Sequence, residues 1–263
     1  MFLKLIIAKI QKIYSCRRLL WSMSLKLLKA KYAGSVLGLF WVIINPLLMM
    51  WVITFVFTIV FKTGIKDFAL FVLSGILPWM FFSGALSEAT PSLLAQKSVL
   101  HQFSLPKEIL PLVVITSYFL NFLISWCIIY PFFLWHNPGI IKMIFFMPTI
   151  FLLTYLFTCG LGLLFSIVNI LYRDLEHLLG ILLTFWFWAT PVFYSIEMVP
   201  PEFRWILNFN PMSPFVICYR DIIFRGKIPD AVTFFGVIGW AFFSLFIGFS
   251  VSVWLESSAL KRI

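Results

Sequence analysis

Apolar side chains fill long uninterrupted stretches of this chain, and its charges mark where each stretch stops. Residues free of Asp, Glu, Lys and Arg number 30 between Lys31 and Lys62, 20 between Asp67 and Glu88 and 33 between Glu108 and Lys142. A further 30 lie between Lys142 and Arg173, 20 between Glu176 and Glu197, and 25 between Asp230 and Glu256. About 20 apolar residues in a helix cross about 30 Å of hydrocarbon. The six gaps therefore predict an all-α integral membrane protein with six transmembrane helices, their cores near 37–61, 68–88, 110–135, 143–170, 178–196 and 232–254. A β-barrel would alternate polar and apolar positions, whereas these runs are apolar on every face. Pro46, Pro78, Pro131 and Pro191 are expected to mark kinks or helix ends.

Composition agrees with lipid as the solvent. Of 263 residues 62% are hydrophobic, 19% aromatic and 11% charged, against about 25% charged in soluble domains. The net charge of +10 is unevenly spread: residues 1–31 hold eight Lys and Arg and no acid. With that end in the cytoplasm, thirteen of the twenty bases fall on cytoplasmic segments and seven outside, as the positive-inside rule requires. Both termini are then cytoplasmic, and the charge reads as a topology signal rather than a nucleic-acid footprint. Lys4, Lys9 and Lys12 interrupt any signal-peptide core. Cys16, Cys127, Cys159 and Cys218 have neither metal-binding nor paired spacing, so no disulfide or metal site is expected.

The chain divides into a cytoplasmic N-terminus (1–36), a transmembrane domain (37–254) and a cytoplasmic tail (255–263). Within the first part, Ser15, Arg18, Ser22, Lys26 and Lys29 form one polar stripe at helical spacing, with Trp21 among the apolar positions. That pattern predicts an amphipathic interfacial helix whose basic face, Arg18, Lys26 and Lys29, meets headgroups or a partner. The cytoplasmic segment 89–109 is long and polar enough to project beyond the bilayer, and Tyr172-Arg173-Asp174-Leu175-Glu176-His177 is a compact charged turn. Residues 197–231, rich in proline and aromatic side chains, predict short external amphipathic helices between spans 5 and 6.

Chemistry is scarce. Inside the spans only Glu88 and His136 approach the positions where ion-coupled carriers keep their relays, and both sit at span ends. No phosphate-binding loop, hydrolase motif or paired carboxylates stand out, and Gly160-Leu161-Gly162 reads as helix packing. A transferase would have only Glu197 and Glu202 to work with. Any work done must draw energy from another chain. The aromatic load is read first as interfacial belts and packing, and second as a path on which sugar rings stack. Phe40, Trp41, Trp79, Phe82, Trp186, Phe187 and Tyr194 are the candidates for such a path.

Five segments carry a resemblance: Lys31-Tyr32-Ala33-Gly34-Ser35-Val36-Leu37-Gly38 with Trp41 and Asn45-Pro46; Leu77-Pro78-Trp79 with Phe82-Ser83; Leu105-Pro106-Lys107-Glu108; Tyr172-Arg173-Asp174-Leu175; and Thr190-Pro191-Val192-Phe193-Tyr194 with Asn210-Pro211 and Tyr219-Arg220-Asp221. Together they resemble the permease subunit of polysaccharide-exporting ABC transporters of the type-2 exporter class, which move O-antigen, teichoic acid or capsule. The resemblance implies a homodimer joined to two cytoplasmic ATPase subunits that hold ATP and Mg, with no cofactor on this chain. It further implies a lipid-linked glycan as substrate, the bacterial inner membrane as location, and coupling through Gln96, Lys97, His101, Pro106, Lys107 and Glu108 with Tyr172, Arg173, Asp174 and Glu176. A related permease for a small drug, haem or lipid remains the alternative.

Overall fold

A computed structural model describes residues 2–96 and 105–260, with side chains for 7–96 and 105–255. Lys97 and His101 therefore lie outside the described residues. Every element among the described residues is helical. Five helices are long and apolar enough to cross a membrane: Gly38–Val60, Phe68–Ala89, Ile109–His136, Met147–Leu171 and Ala231–Leu255. We label the α-helices in chain order as α1 (Phe2–Ser15), α2 (Arg17–Tyr32), α3 (Trp41–Phe55), α4 (Phe68–Ala89), α5 (Ser92–Ala95), α6 (Ile109–His136) and α7 (Met147–Leu171). After these come α8 (Leu175–Ala189), α9 (Arg204–Phe209), α10 (Ser213–Tyr219) and α11 (Ala231–Leu260). Short tighter or wider turns extend α3 at both ends and α10 at its end.

The helix expected over 178–196 differs from its prediction. It runs Leu175–Ala189, 15 residues, or about 22 Å at 1.5 Å per residue, which falls short of a hydrocarbon crossing. Pro191 is the reason. The residue before a proline is pushed out of the helical region, and Thr190 is extended with ψ of 135°. Pro46, Pro78 and Pro131, by contrast, sit inside α3, α4 and α6.

Burial ranks the helices. In the most apolar window of α4, 72% of residues are buried, against 11% for the span containing α3 and 22% for α11. The core is accordingly built on α4, α6 and α7, with α3 and α8 flanking α4. The closest helix approach is between α7 and α11, where a Cβ on Gly160 would lie 2.2 Å from the Ser244 carbonyl carbon and one on Gly248 would lie 2.2 Å from the Gly160 oxygen. Without a hydrophobic force between helices in lipid, such backbone contact is the main source of packing energy.

At the N-terminus, α2 keeps Arg18, Trp21, Lys26 and Lys29 exposed, and buries Ser24 and Leu28. Ser24 Oγ donates to the Val113 carbonyl at 3.1 Å and Tyr32 Oη to Asn121 Oδ1 at 2.5 Å. Both contacts advance eight residues on each helix, so α2 runs lengthwise along α6 over about 12 Å. The preceding helix α1 is an element that the polar stripe did not reveal.

Candidate translocation groove and coupling end

On one face of α4 the side chains Ile76, Trp79, Met80, Ser83 and Ser87 recur at spacings of three and four, which places them in one line. Gly180, Leu183, Thr184 and Phe187 form the matching line on α8, and Met49 of α3 closes the other side. Between them runs an open groove of about 310 Å³, whose α4 wall is about 16 Å long. Its chemistry is mixed. Trp79 and Phe187 pack as a tilted pair, with centroids 5.5 Å apart and planes at 50°. Ser83 and Thr184 satisfy their hydroxyl protons on the Trp79 and Gly180 carbonyls, at 2.9 and 3.0 Å, which leaves their oxygens as acceptors.

The aromatic candidates separate in three dimensions. Trp79 and Phe187 line the groove, while Phe82 is wholly buried between Phe157 and Trp186. Trp186 donates from Nε1 to Asn210 Oδ1 at 2.7 Å. Tyr194 lies past the end of α8 and reaches the Trp188 carbonyl at 3.4 Å. Phe40 is 68% exposed at the entry to α3, and Trp41 bonds Ser35 Oγ at 3.0 Å beside a small cavity of about 100 Å³ shared with Lys31, Asn45 and Asn121. Ser83, Ser87, Gly180 and Thr184 were not among the sequence candidates. Their small-residue spacing of four was the available signal, and it is faint within runs apolar all round.

The broken backbone that ends α8 needs partners, because an unpaired carbonyl at this depth costs several kcal/mol. Two residues from the region after it supply them. Asn210 Nδ2 donates to Ala189 O at 3.0 Å and to Thr190 Oγ1 at 2.9 Å. Arg220, 2% exposed, donates from one terminal nitrogen to Pro191 O at 2.8 Å and to Val192 O at 3.0 Å, its guanidinium 3.6 Å above the Phe71 ring. Irregular backbone here is thus enclosed by protein rather than lipid.

At the opposite end of the bundle, Glu108 immediately precedes α6 and is buried. Its carboxylate receives the Lys9 ammonium of α1 at 2.5 Å and the Ser252 hydroxyl of α11 at 2.7 Å. Burial by itself would raise the Glu108 pKa, but Lys9 and Ser252 outweigh it and hold the carboxyl below its usual value. A depressed carboxylate stabilises the fold above its unfolded pKa and loses that contribution as pH falls through the folded one. The unfolding midpoint of the purified chain is therefore expected to decline below about pH 4.5, and Glu108→Gln to flatten that decline. An unchanged acid profile in Glu108→Gln would place the sensitivity elsewhere.

Glu108 therefore faces inward, unlike the other members of its predicted set. Tyr172, Arg173, Asp174 and Glu176 are exposed on the turn between α7 and α8, and Gln96, Pro106 and Lys107 are half-buried. All lie at the end of the bundle that holds Lys9 and Ser252. The described residues contain no cluster of three or more His, Cys, Asp or Glu able to hold a metal.

Comparison with known proteins gives this architecture its relatives. Residues 18–224 match the family model for ABC-2 type transporters. The chain is 31% identical to the O-antigen export system permease protein RfbA of Myxococcus xanthus over 224 residues, covering 84% of this chain and 86% of that protein. RfbA of Klebsiella pneumoniae is 28% identical over 76% of this chain and 78% of its own length. The polysialic acid transport protein KpsM of Escherichia coli is 20% identical over 86% and 89%. A helical bundle with a lateral groove, and a family match across more than three-quarters of its length, lead to one assignment: the chain belongs to the ABC-2 type transporter family.

Proposed function

We propose that this chain is the permease of an ATP-driven exporter that passes a lipid-linked polysaccharide across the bacterial inner membrane along the α3–α4–α8 groove. The observation that carries the reading is the groove itself: a lateral, open slot with a ring pair for sugar faces and hydroxyls for sugar edges. Sequence-tolerant stacking suits a polymer that must slide. Relatives named for O-antigen and polysialic acid export favour a glycan over a small hydrophobic cargo.

One copy leaves the groove open to the membrane. Its borders carry exposed apolar side chains, Leu48, Trp51 and Phe55 on α3 and Ile181, Phe185 and Trp188 on α8. In a two-fold homodimer these borders meet, and two half-grooves close into one conduit. We read α8 with the extended residues after it as the remaining crossing, fifth in chain order of six, which puts both termini in the cytoplasm. The exposed Arg173 and Asp174, and the segment leading to Glu108, then face two copies of a separate ATPase that holds ATP and Mg, and this chain has no catalytic role of its own. Seated on Lys9 and Ser252, Glu108 passes displacement of that segment to α1 and α11.

The test is steric. Thr184→Trp and Ser83→Trp fill the groove from opposite walls, and each is expected to lower surface glycan at least tenfold in cells that depend on this permease, with membrane abundance unchanged. Normal export by both variants would remove the groove from the path.

A further inference from the structure

A cavity of about 500 Å³ lies away from the groove, between α9, α10 and the first turns of α11. Its chemistry is mixed. Arg204 and Asn208 of α9 and Thr233 of α11 line it together with apolar residues, among them Ile217 and Trp240. Along α11 the lining runs from Val232 to Trp240, eight residues or about 12 Å. Gly236 keeps the cavity open: a Cβ there would meet only Pro214, at 3.7 Å. Ser213, 1% exposed, also lines it, and its hydroxyl has no hydrogen-bond partner among the described residues.

We infer that this cavity is a binding site for a membrane phospholipid, with the phosphate at Arg204 and an acyl chain laid along α11 toward Trp240. Two features select a lipid over a soluble ligand. The helices that form the cavity, α9 and α11, also carry exposed apolar side chains, Trp205, Phe209, Val232 and Phe235, as in an interfacial belt that meets headgroups and chains. The volume lies within the range of sites that enclose most of a ligand, and a lining of both charged and apolar side chains suits an amphiphile. Arg204 uses Nε on the Val199 carbonyl at 3.1 Å, which steadies the guanidinium while its terminal nitrogens remain donors for phosphate.

The full-length chain, reconstituted in vesicles of phosphatidylethanolamine and phosphatidylglycerol and re-extracted in mild detergent, provides the test. Native mass spectrometry should find one tightly held phospholipid per chain, not displaced by inorganic phosphate. Gly236→Leu fills the cavity and should lose it, whereas Gly239→Leu, at a position with nothing within 4 Å, should retain it. Arg204→Gln, at an exposed side chain, should raise loss on detergent washing at least tenfold even if Gly236→Leu fails to fold. Equal retention by wild type, Arg204→Gln and any folded Gly236→Leu, or displacement by inorganic phosphate, would overturn the assignment.

Discussion

Arg220→Leu is expected to abolish a stable fold. The substitution strips the partner from two buried carbonyls, Pro191 O and Val192 O, at about 1–3 kcal/mol each. It also removes the cation lying over Phe71. The neighbouring Asp221 is not left uncompensated, since Arg225 and Lys227 approach it at 3.0 and 3.4 Å. The predicted loss therefore belongs to the broken end of α8, and through it to one wall of the groove. Arg220→Lys keeps the charge but lacks the planar fork, so it should recover only part of the loss. Unfolding midpoints and monodispersity in detergent provide the readout. A wild-type midpoint for Arg220→Leu would mean that water or lipid satisfies those carbonyls equally well.

Gly160→Val should be comparably damaging by the opposite route, added volume rather than lost bonding. Its first side-chain atom would overlap the Ser244–Leu245 backbone of α11 at 2.2–2.5 Å. No rotamer change relieves a clash with backbone, so the helices must separate along their whole seam. Overpacking commonly costs about 1–3 kcal/mol where side chains can yield; here the upper end or more is expected. Gly248→Val meets the Gly160 oxygen at the same 2.2 Å and should match it. Gly239→Val, on an open face of α11, should unfold like wild type. If Gly160→Val and Gly239→Val melt together, α7 and α11 do not meet backbone to backbone.

Both positions were readable only in part. Gly160 stood out within an apolar run as a packing residue, but its partner 88 residues later could not be paired with it from one sequence. Arg220 was visible as a base in a region expected to be external and belonged to one of the segments that carry the family resemblance, yet nothing in its neighbourhood announced burial to 2%. Glu108 was legible as a member of the segment expected to couple to an ATPase, whereas its attachment to Lys9 and Ser252 joins positions 99 and 144 residues distant. Trp79 and Phe82, three residues apart, were equal candidates by type; the bundle buries both, Trp79 at 6% exposure against the groove wall and Phe82 at 0% between Phe157 and Trp186.

What the sequence determined alone is the class of solvent and the scaffold suited to it. Charges cannot be buried cheaply in hydrocarbon, so their spacing exposes the long helices within one or two residues at most ends, and backbone groups with no water nearby must close their bonds helically. What only the tertiary structure decided is where that scaffold is interrupted and which faces stay open. Helices apolar on every side carry no moment to orient them; small residues, two buried polar side chains and the chain break at Pro191 set their orientation through contacts that are distant in sequence.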